Sequence, residues 1–156
     1  MQLDSLRNLI VITTIHDLDM NIIDVKGAYL HGNLDETIYM QQPEGYSDGT
    51  PRVCLLQHSL YGLKQSSQAW NKTLDSHLKS LRYYQLNADH CVYIRQTSHK
   101  KYDIFSTWVD DFALFYTEGG MTQNKKEIAD KWEITDQGEE PHTIVVIQFY
   151  GDRSQC

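Results

Sequence analysis

Asp110 and Asp111 stand side by side in the stretch 106–116 (STWVDDFALFY), between two runs that otherwise read as sheet. Carboxylates are depleted in strands, and adjacent like charges repel. Two explanations are open. Asp is a favoured turn residue, so the pair would mark a hairpin tip; alternatively, the pair ligates a metal. A third carboxylate, Asp24, interrupts the apolar run 20–25 (MNIIDV), beside Ile22, Ile23 and Val25. A carboxylate in that company must be paired, exposed at a strand end, or bound to a cation. If the strand ends are neighbours, the three side chains converge, and left bare they would raise one another's proton affinity. A divalent cation removes that penalty, and all-oxygen ligation suits Mg²⁺ or Mn²⁺. Two such ions about 3.5–4 Å apart can activate one oxygen and stabilise the departing one in phosphoryl transfer. The spacing permits that convergence.

Other chemistry is poorly represented. The seven histidines are scattered, and none pairs with another at helical ligand spacing. There is no Gly-x-x-x-x-Gly-Lys phosphate loop. Cys54, Cys91 and Cys156 are widely spaced and odd in number, so neither zinc nor a disulfide framework is indicated. Cys54 and Cys91 read as small buried apolar groups. This cysteine usage fits a reducing, intracellular compartment, cytoplasmic or nuclear. No apolar run approaches bilayer length and no secretory leader is present, so no membrane partner is expected.

The elements that must position the carboxylates follow from periodicity. Leu3, Leu6, Ile10 and Thr13 recur at helical spacing, with Asp4 or Ser5 as candidate caps and an end near His16, before the break at residues 17–19. Residues 20–25 read as a short buried strand, and His31-Gly32-Asn33 as a turn. Residues 37–40 and 53–56 are further short strands around the Pro- and Gly-containing loop 41–52. A helix is expected over 65–83, with Trp70, Leu74, Leu78 and Leu81 as its apolar stripe and Lys72, Lys79 and Arg82 largely off it. Residues 91–96, 102–109 and 112–116 read as strands, 121–132 as a helix, 136–138 as a turn and 143–150 as a closing apolar strand. This order predicts one α+β domain over 1–156, with helices packed on one face of a mainly antiparallel sheet.

Charge is segregated. Residues 1–51 carry two basic and eight acidic side chains, 52–101 eight basic and two acidic, and 102–156 four basic and eleven acidic. The overall charge of −7 argues against a nucleic-acid surface. The basic middle block argues for one, unless it is an ordinary solvated face.

The motifs, taken together, resemble a family. Residues 24–32 (DVKGAYLHG) resemble the first catalytic motif of copia-type retrotransposon reverse transcriptases. The likeness continues in 38–46 (IYMQQPEGY), in 59–65 (SLYGLKQ) followed by Trp70-Asn71, in 89–93 (DHCVY) and in 108–111 (WVDD), all in the family's order. It implies a right-hand polymerase fold, of which this chain would be a palm-like antiparallel sheet with partial fingers, truncated at both ends. Asp24 would be the first metal ligand, and Asp110 and Asp111 the acidic pair, together holding two Mg²⁺ or Mn²⁺ ions. Tyr29 resembles the aromatic that floors the incoming sugar and excludes a 2′-hydroxyl; on periodicity alone it is equally a core aromatic. Lys64 and Gln65 resemble the segment that holds the incoming nucleotide on the template; without the family they read as a helix start. Lys72, Lys79 and Arg82 would lie along a phosphate backbone.

The implied activity is RNA-directed DNA polymerisation from deoxynucleoside triphosphates on a primed RNA or DNA template, weak or absent in an isolated fragment. The implied partners include the remaining fingers, a thumb and a ribonuclease H of a longer polyprotein. The alternative is a non-catalytic relic or nucleic-acid-binding module. The chain departs from the family's pattern in four places. Trp108 stands where Tyr is usual, and Ser66-Ser67-Gln68 replaces Ala-Pro-Arg. Gln137 stands for Leu, and Val145-Val146-Ile147 for Leu-Gly-Ile.

Overall fold

The computed structural model describes residues 1–98, 101–117, 120–138, 143–144 and 147–148. They divide into two compact units, one of residues 1–26 and 77–156 and one of residues 27–76.

The larger unit is built on a six-stranded sheet. Its strands are β1 (Asp19–Val25), β4 (Tyr84–Gln85), β5 (Val92–Ser98), β6 (Lys101–Trp108), β7 (Asp111–Tyr116) and β8 (Ile134–Asp136). Their order is β4-β5-β6-β7-β1-β8, and every neighbouring pair is antiparallel. The expected α+β class with a mainly antiparallel sheet is therefore what forms. The central strands are apolar at consecutive positions: Ile22 with Ile23, and Phe112 through Tyr116, are all buried. Successive side chains point to opposite faces, so such runs need cover on both sides.

That requirement overturns the expectation of helices on one face only. Helix α1 (Leu3–Ile15) packs Leu6 and Leu9 against Ile22, Ala113, Phe115, Ile104 and Val92 on one face. Helix α3 (Met121–Ala129) serves the other, where its Asn124 and Glu127 bond Arg95 of β5. Arg95 also pairs with Asp103, and Phe105 packs on Phe112 with centroids 4.7 Å apart.

Each of the two long helices departs from expectation at one end, for identifiable reasons. α1 begins at Leu3 with Gln2 as its N-cap, so neither Asp4 nor Ser5 caps it. Instead the buried Asp89 accepts the Gln2 N–H from far along the chain, at 2.7 Å. Its C-terminal end fits expectation: Asp17 turns left-handed (φ 48) and the Leu18 N–H reaches back to the Thr13 carbonyl. Helix α2 spans Ser66–Ser80, stopping short of residue 83. Arg82 adopts φ 67, its N–H bonds the Lys79 carbonyl and the Tyr83 N–H bonds the Leu78 carbonyl. This is a Schellman stop with arginine where glycine is usual.

The smaller unit holds β2 (Tyr39–Gln41) paired antiparallel with β3 (Val53–Leu55), a 3₁₀ turn over Ala28–His31 and most of α2. Gly27 enters the 3₁₀ turn at φ 63. Gly32 leaves it against the start of α2, where a Cβ would lie 2.8 Å from the Trp70 nitrogen. Trp70 and Leu74 are buried as the stripe predicts. Cys54 and Cys91 are half-buried rather than buried. The expected strand over 143–150 is instead two short strands where described, β9 (Thr143–Ile144) and β10 (Ile147–Gln148), paired antiparallel. Val145 and Val146 lie outside the described residues. Among the described residues no helix is long and apolar enough to cross a membrane.

Candidate active site

The carboxylates sit where the β6–β7 hairpin meets the end of β1. Trp108 and Asp111 are the closing pair of the hairpin, so Val109 and Asp110 form its two-residue turn. Val109 has φ 60, and Asp110 does not share the positive sign. That is the type II′ pattern, in which the first central residue is normally glycine. A β-branched residue there is strained.

The Val25 N–H donates to the Asp110 carbonyl at 2.9 Å, which ties the turn to β1. One residue earlier, Asp24 is the direct partner of Asp111. Hydrogen-bonded and non-hydrogen-bonded pairs alternate along an antiparallel ladder, so the Asp24–Asp111 pair is of the non-bonded kind. Its Cα atoms are then about 4.5 Å apart and its side chains share one face. On the other side of β1, Asp24 is the register partner of Thr135 in β8. A row therefore runs across four adjacent strands: Trp108, Asp111, Asp24, Thr135. It lies on the face that α1 covers further along, beyond Ile22 and Ala113.

The electrostatics reflect this crowding. Partial burial, then repulsion from Asp110, pushes the Asp24 carboxyl above the usual carboxylate range, against a smaller pull from Lys26. Partial burial pushes Asp111 up as well, followed by repulsion from Asp110 and Asp24. Among the described residues, no three His, Cys, Asp or Glu side chains are gathered tightly enough to hold a metal ion by themselves.

The remaining expected residues are distributed as follows. Tyr29 is half-buried in the 3₁₀ turn, its ring 4.9 Å from that of Tyr61, and its carbonyl accepts the Ser59 hydroxyl. Lys64 and Gln65 are exposed in the turn that leads into α2. Lys72 is exposed and ion-paired with Asp35. Lys79 lies in the last turn of α2, and Arg82 in the stop that follows. Asp24, Asp110 and Asp111 are thus brought together within the larger unit. Tyr29, Lys64, Gln65 and Lys72 belong to the smaller one.

Of the departures in sequence, Trp108 is exposed beside Asp111. Ser66 is buried with its hydroxyl on the Leu60 carbonyl, and the Gln137 N–H bonds the Ile22 carbonyl. Sequence reasoning missed β8, and with it Thr135 beside Asp24 and Glu133 beside Lys26. The apolar and β-branched Ile134-Thr135 before Asp136-Gln137-Gly138 was the available signal.

Comparison with known proteins agrees with the motifs. The family described as reverse transcriptase (RNA-dependent DNA polymerase) matches residues 1–151. The chain is 35% identical over 140 residues to the retrovirus-related Pol polyprotein from transposon TNT 1-94 of Nicotiana tabacum, covering 88% of this chain and 10% of that protein. It is 29% identical over 129 residues to the corresponding polyprotein from transposon RE1 of Arabidopsis thaliana, covering 81% and 9%. Against the transposon Ty1-GR3 Gag-Pol polyprotein of Saccharomyces cerevisiae it is 33% identical over 110 residues, covering 69% and 6%. The chain therefore spans about a tenth, or less, of the length of these relatives. No solved structure matches. With its ordered motifs and this match over nearly its whole length, the chain belongs to the reverse transcriptase family, in its copia-type branch.

Proposed function

We propose that this chain forms the palm and part of the fingers of an RNA-directed DNA polymerase, and that its carboxylate row is the nucleotidyl-transfer centre. The observation that carries the reading is the cross-strand pairing of Asp24 with Asp111, with Asp110 in the adjoining turn.

The donor set fits hard divalent cations. Partial burial and the neighbouring negative charge raise the proton affinity of Asp24 and Asp111, and a dication relieves that cost. They do not form a complete cage. This suits Mg²⁺ or Mn²⁺ in particular: Mg²⁺ keeps several waters and binds through one or two carboxylates plus substrate phosphates. Asp24 and Asp111 would hold the ions, with Asp110 adding charge from the turn. Bound there, two such ions supply activation of the primer 3′-hydroxyl and neutralisation of the departing pyrophosphate.

The chain's own groups position and exclude. The sheet fixes Asp24 and Asp111 on one face, so the site is rigid before substrate arrives. In this reading Tyr29 floors the sugar of a deoxynucleoside triphosphate and rejects a 2′-hydroxyl. Lys64 and Gln65 hold the incoming nucleotide against the template. Lys72, Lys79 and Arg82 contact the phosphate backbone of a primed RNA or DNA template, Lys72 only after release from Asp35. The isolated chain is proposed to be weakly active at best, because a polymerase also needs groups that grip the far end of the template and primer.

Primer extension with Mg²⁺ or Mn²⁺ tests the reading, together with thermal melting in the same ions. Short extension products and a divalent-dependent rise in melting temperature, both lost in Asp111→Asn, are expected. A melting temperature indifferent to divalent ions in the wild type, or an equal rise in Asp24→Asn and Asp111→Asn, would overturn it. Salt-sensitive template binding with no extension and no divalent effect would instead identify a nucleic-acid-binding module.

A further inference from the structure

Lys26 lies two positions after Asp24, immediately beyond the end of β1. Its backbone N–H donates to the Glu133 carbonyl at 3.0 Å, extending the β1–β8 ladder past the Val25–Ile134 pair. Its ammonium is ion-paired with the Glu133 carboxylate, and the two side chains are 54% and 72% exposed. Among the groups that set the proton affinities of Asp24 and Asp111, Lys26 is the one cation; the others are burial and sibling carboxylates. The ammonium thus lies within electrostatic reach of Asp24 while Glu133 holds it.

We propose that Lys26 is a triphosphate-binding residue, held by Glu133 until a nucleotide arrives and then exchanged from carboxylate to phosphate. This rests on the polymerase reading above. A nucleoside triphosphate is a polyanion, and the carboxylate row repels it. Positive charge at this end of the sheet is what its phosphates require. A lysine ammonium is a point charge with three donors on a flexible stem, so it can turn between acceptors without backbone movement. An exposed ion pair is weak, whereas charge-assisted bonds to phosphate are strong. The exchange therefore runs toward the nucleotide.

A purely structural ion pair joining β1 to β8 makes a different prediction. Breaking it from either side would then have the same effect. In an exchange, the two partners have opposite effects: loss of Lys26 removes a phosphate contact, and loss of the Glu133 charge releases Lys26 and removes a competitor.

The test is calorimetric titration of the full chain with deoxythymidine triphosphate in Ca²⁺, repeated with inorganic tripolyphosphate. The proteins are wild type, Lys26→Met, Glu133→Gln and Asp24→Asn. Lys26→Met is expected to weaken binding of both probes about tenfold, and Glu133→Gln to tighten it about threefold, with melting temperatures nearly unchanged since both side chains are exposed. If Asp24→Asn abolishes binding but Lys26→Met and Glu133→Gln match wild type, or shift in the same direction, the exchange is wrong and the polymerase reading stands. If the wild type binds neither probe, or Asp24→Asn binds as the wild type does, both fail.

Discussion

Asp24 of β1 and Asp111 of β7 are direct partners across the sheet, although they lie far apart along the chain. Partial burial raises the carboxyls of both, Asp110 repels both, and Asp24 repels Asp111 as well. The folded state therefore holds protons at these positions more tightly than the unfolded chain, whose carboxyls titrate near 3.8. Stability from this source is fully present below 3.8 and is lost as pH rises through the raised folded values. Asp111→Asn removes that loss. In EDTA at neutral pH it is expected to melt above the wild type, by no more than ~2–4 °C, because solvent screens half-buried carboxylates. In excess Mg²⁺ the order reverses, since only the wild type gains from the ion. A calorimetric scan of both proteins with and without Mg²⁺ checks both signs.

The turn beside this pair stores strain. Val109 is the first central residue of the Trp108–Asp111 hairpin and has φ 60. Such a conformation costs on the order of 1–3 kcal/mol for a β-branched residue, and glycine recovers it less roughly 0.5–1 kcal/mol of chain entropy. Val109→Gly is expected to stabilise the chain by about 1 kcal/mol in urea titration. A loss of stability would mean that the Val109 side chain contributes more than its backbone costs.

Asp89 fastens α1 to the sheet. Burial alone would raise its carboxyl. Hydrogen bonds from the Gln2 N–H, from Ser5 and from the Cys91 N–H outweigh that and hold it below the usual 3.8. The sign is opposite to that at Asp24: this stability is present above 3.8 and is lost as pH falls through the lowered folded value. Asp89→Ala leaves three donors unmet and the first turn of α1 loose, costing about 2–3 kcal/mol. Amide exchange of α1 should speed up more than that of β6 and β7. Equal acceleration everywhere would show that α1 does not open separately.

These residues also mark what could be read from the chain. The strands β1 and β7 were legible because consecutive apolar positions interrupted by Asp24 and Asp111 have few other uses. The hairpin tip was legible from Asp110 and Asp111 as a turn signal. The register that makes Asp24 and Asp111 partners was not, because pattern gives strands and leaves their pairing open. The face covered by α1 was hidden for a related reason: a strand that is apolar at every position looks the same from either side. The β8 strand escaped because its three residues, Ile134–Asp136, run into a Gly-containing turn. The end of α2 escaped because Arg82 takes the left-handed position that glycine usually announces.

Arg95 organises the far face of the sheet. Its side chain is 13% exposed, between Asp103 at 5% and Glu127 at 15%. It bonds both carboxylates, the Asn124 side chain and the Leu81 carbonyl, and its guanidinium lies 4.4 Å from the centroid of the Tyr83 ring. Its Nε has no partner among the described residues. Two carboxylates hold one largely shielded cation, so removing the cation leaves both without compensation. Arg95→Met is expected to cost about 3–5 kcal/mol. Adding Asp103→Asn and Glu127→Gln removes the stranded charges and should recover a large part of that cost, since a buried ion pair is often replaceable by neutral groups. Urea unfolding of the single and triple variants distinguishes this from simple loss of packing. If the triple variant is less stable than Arg95→Met, the carboxylates stabilise the fold even without the arginine.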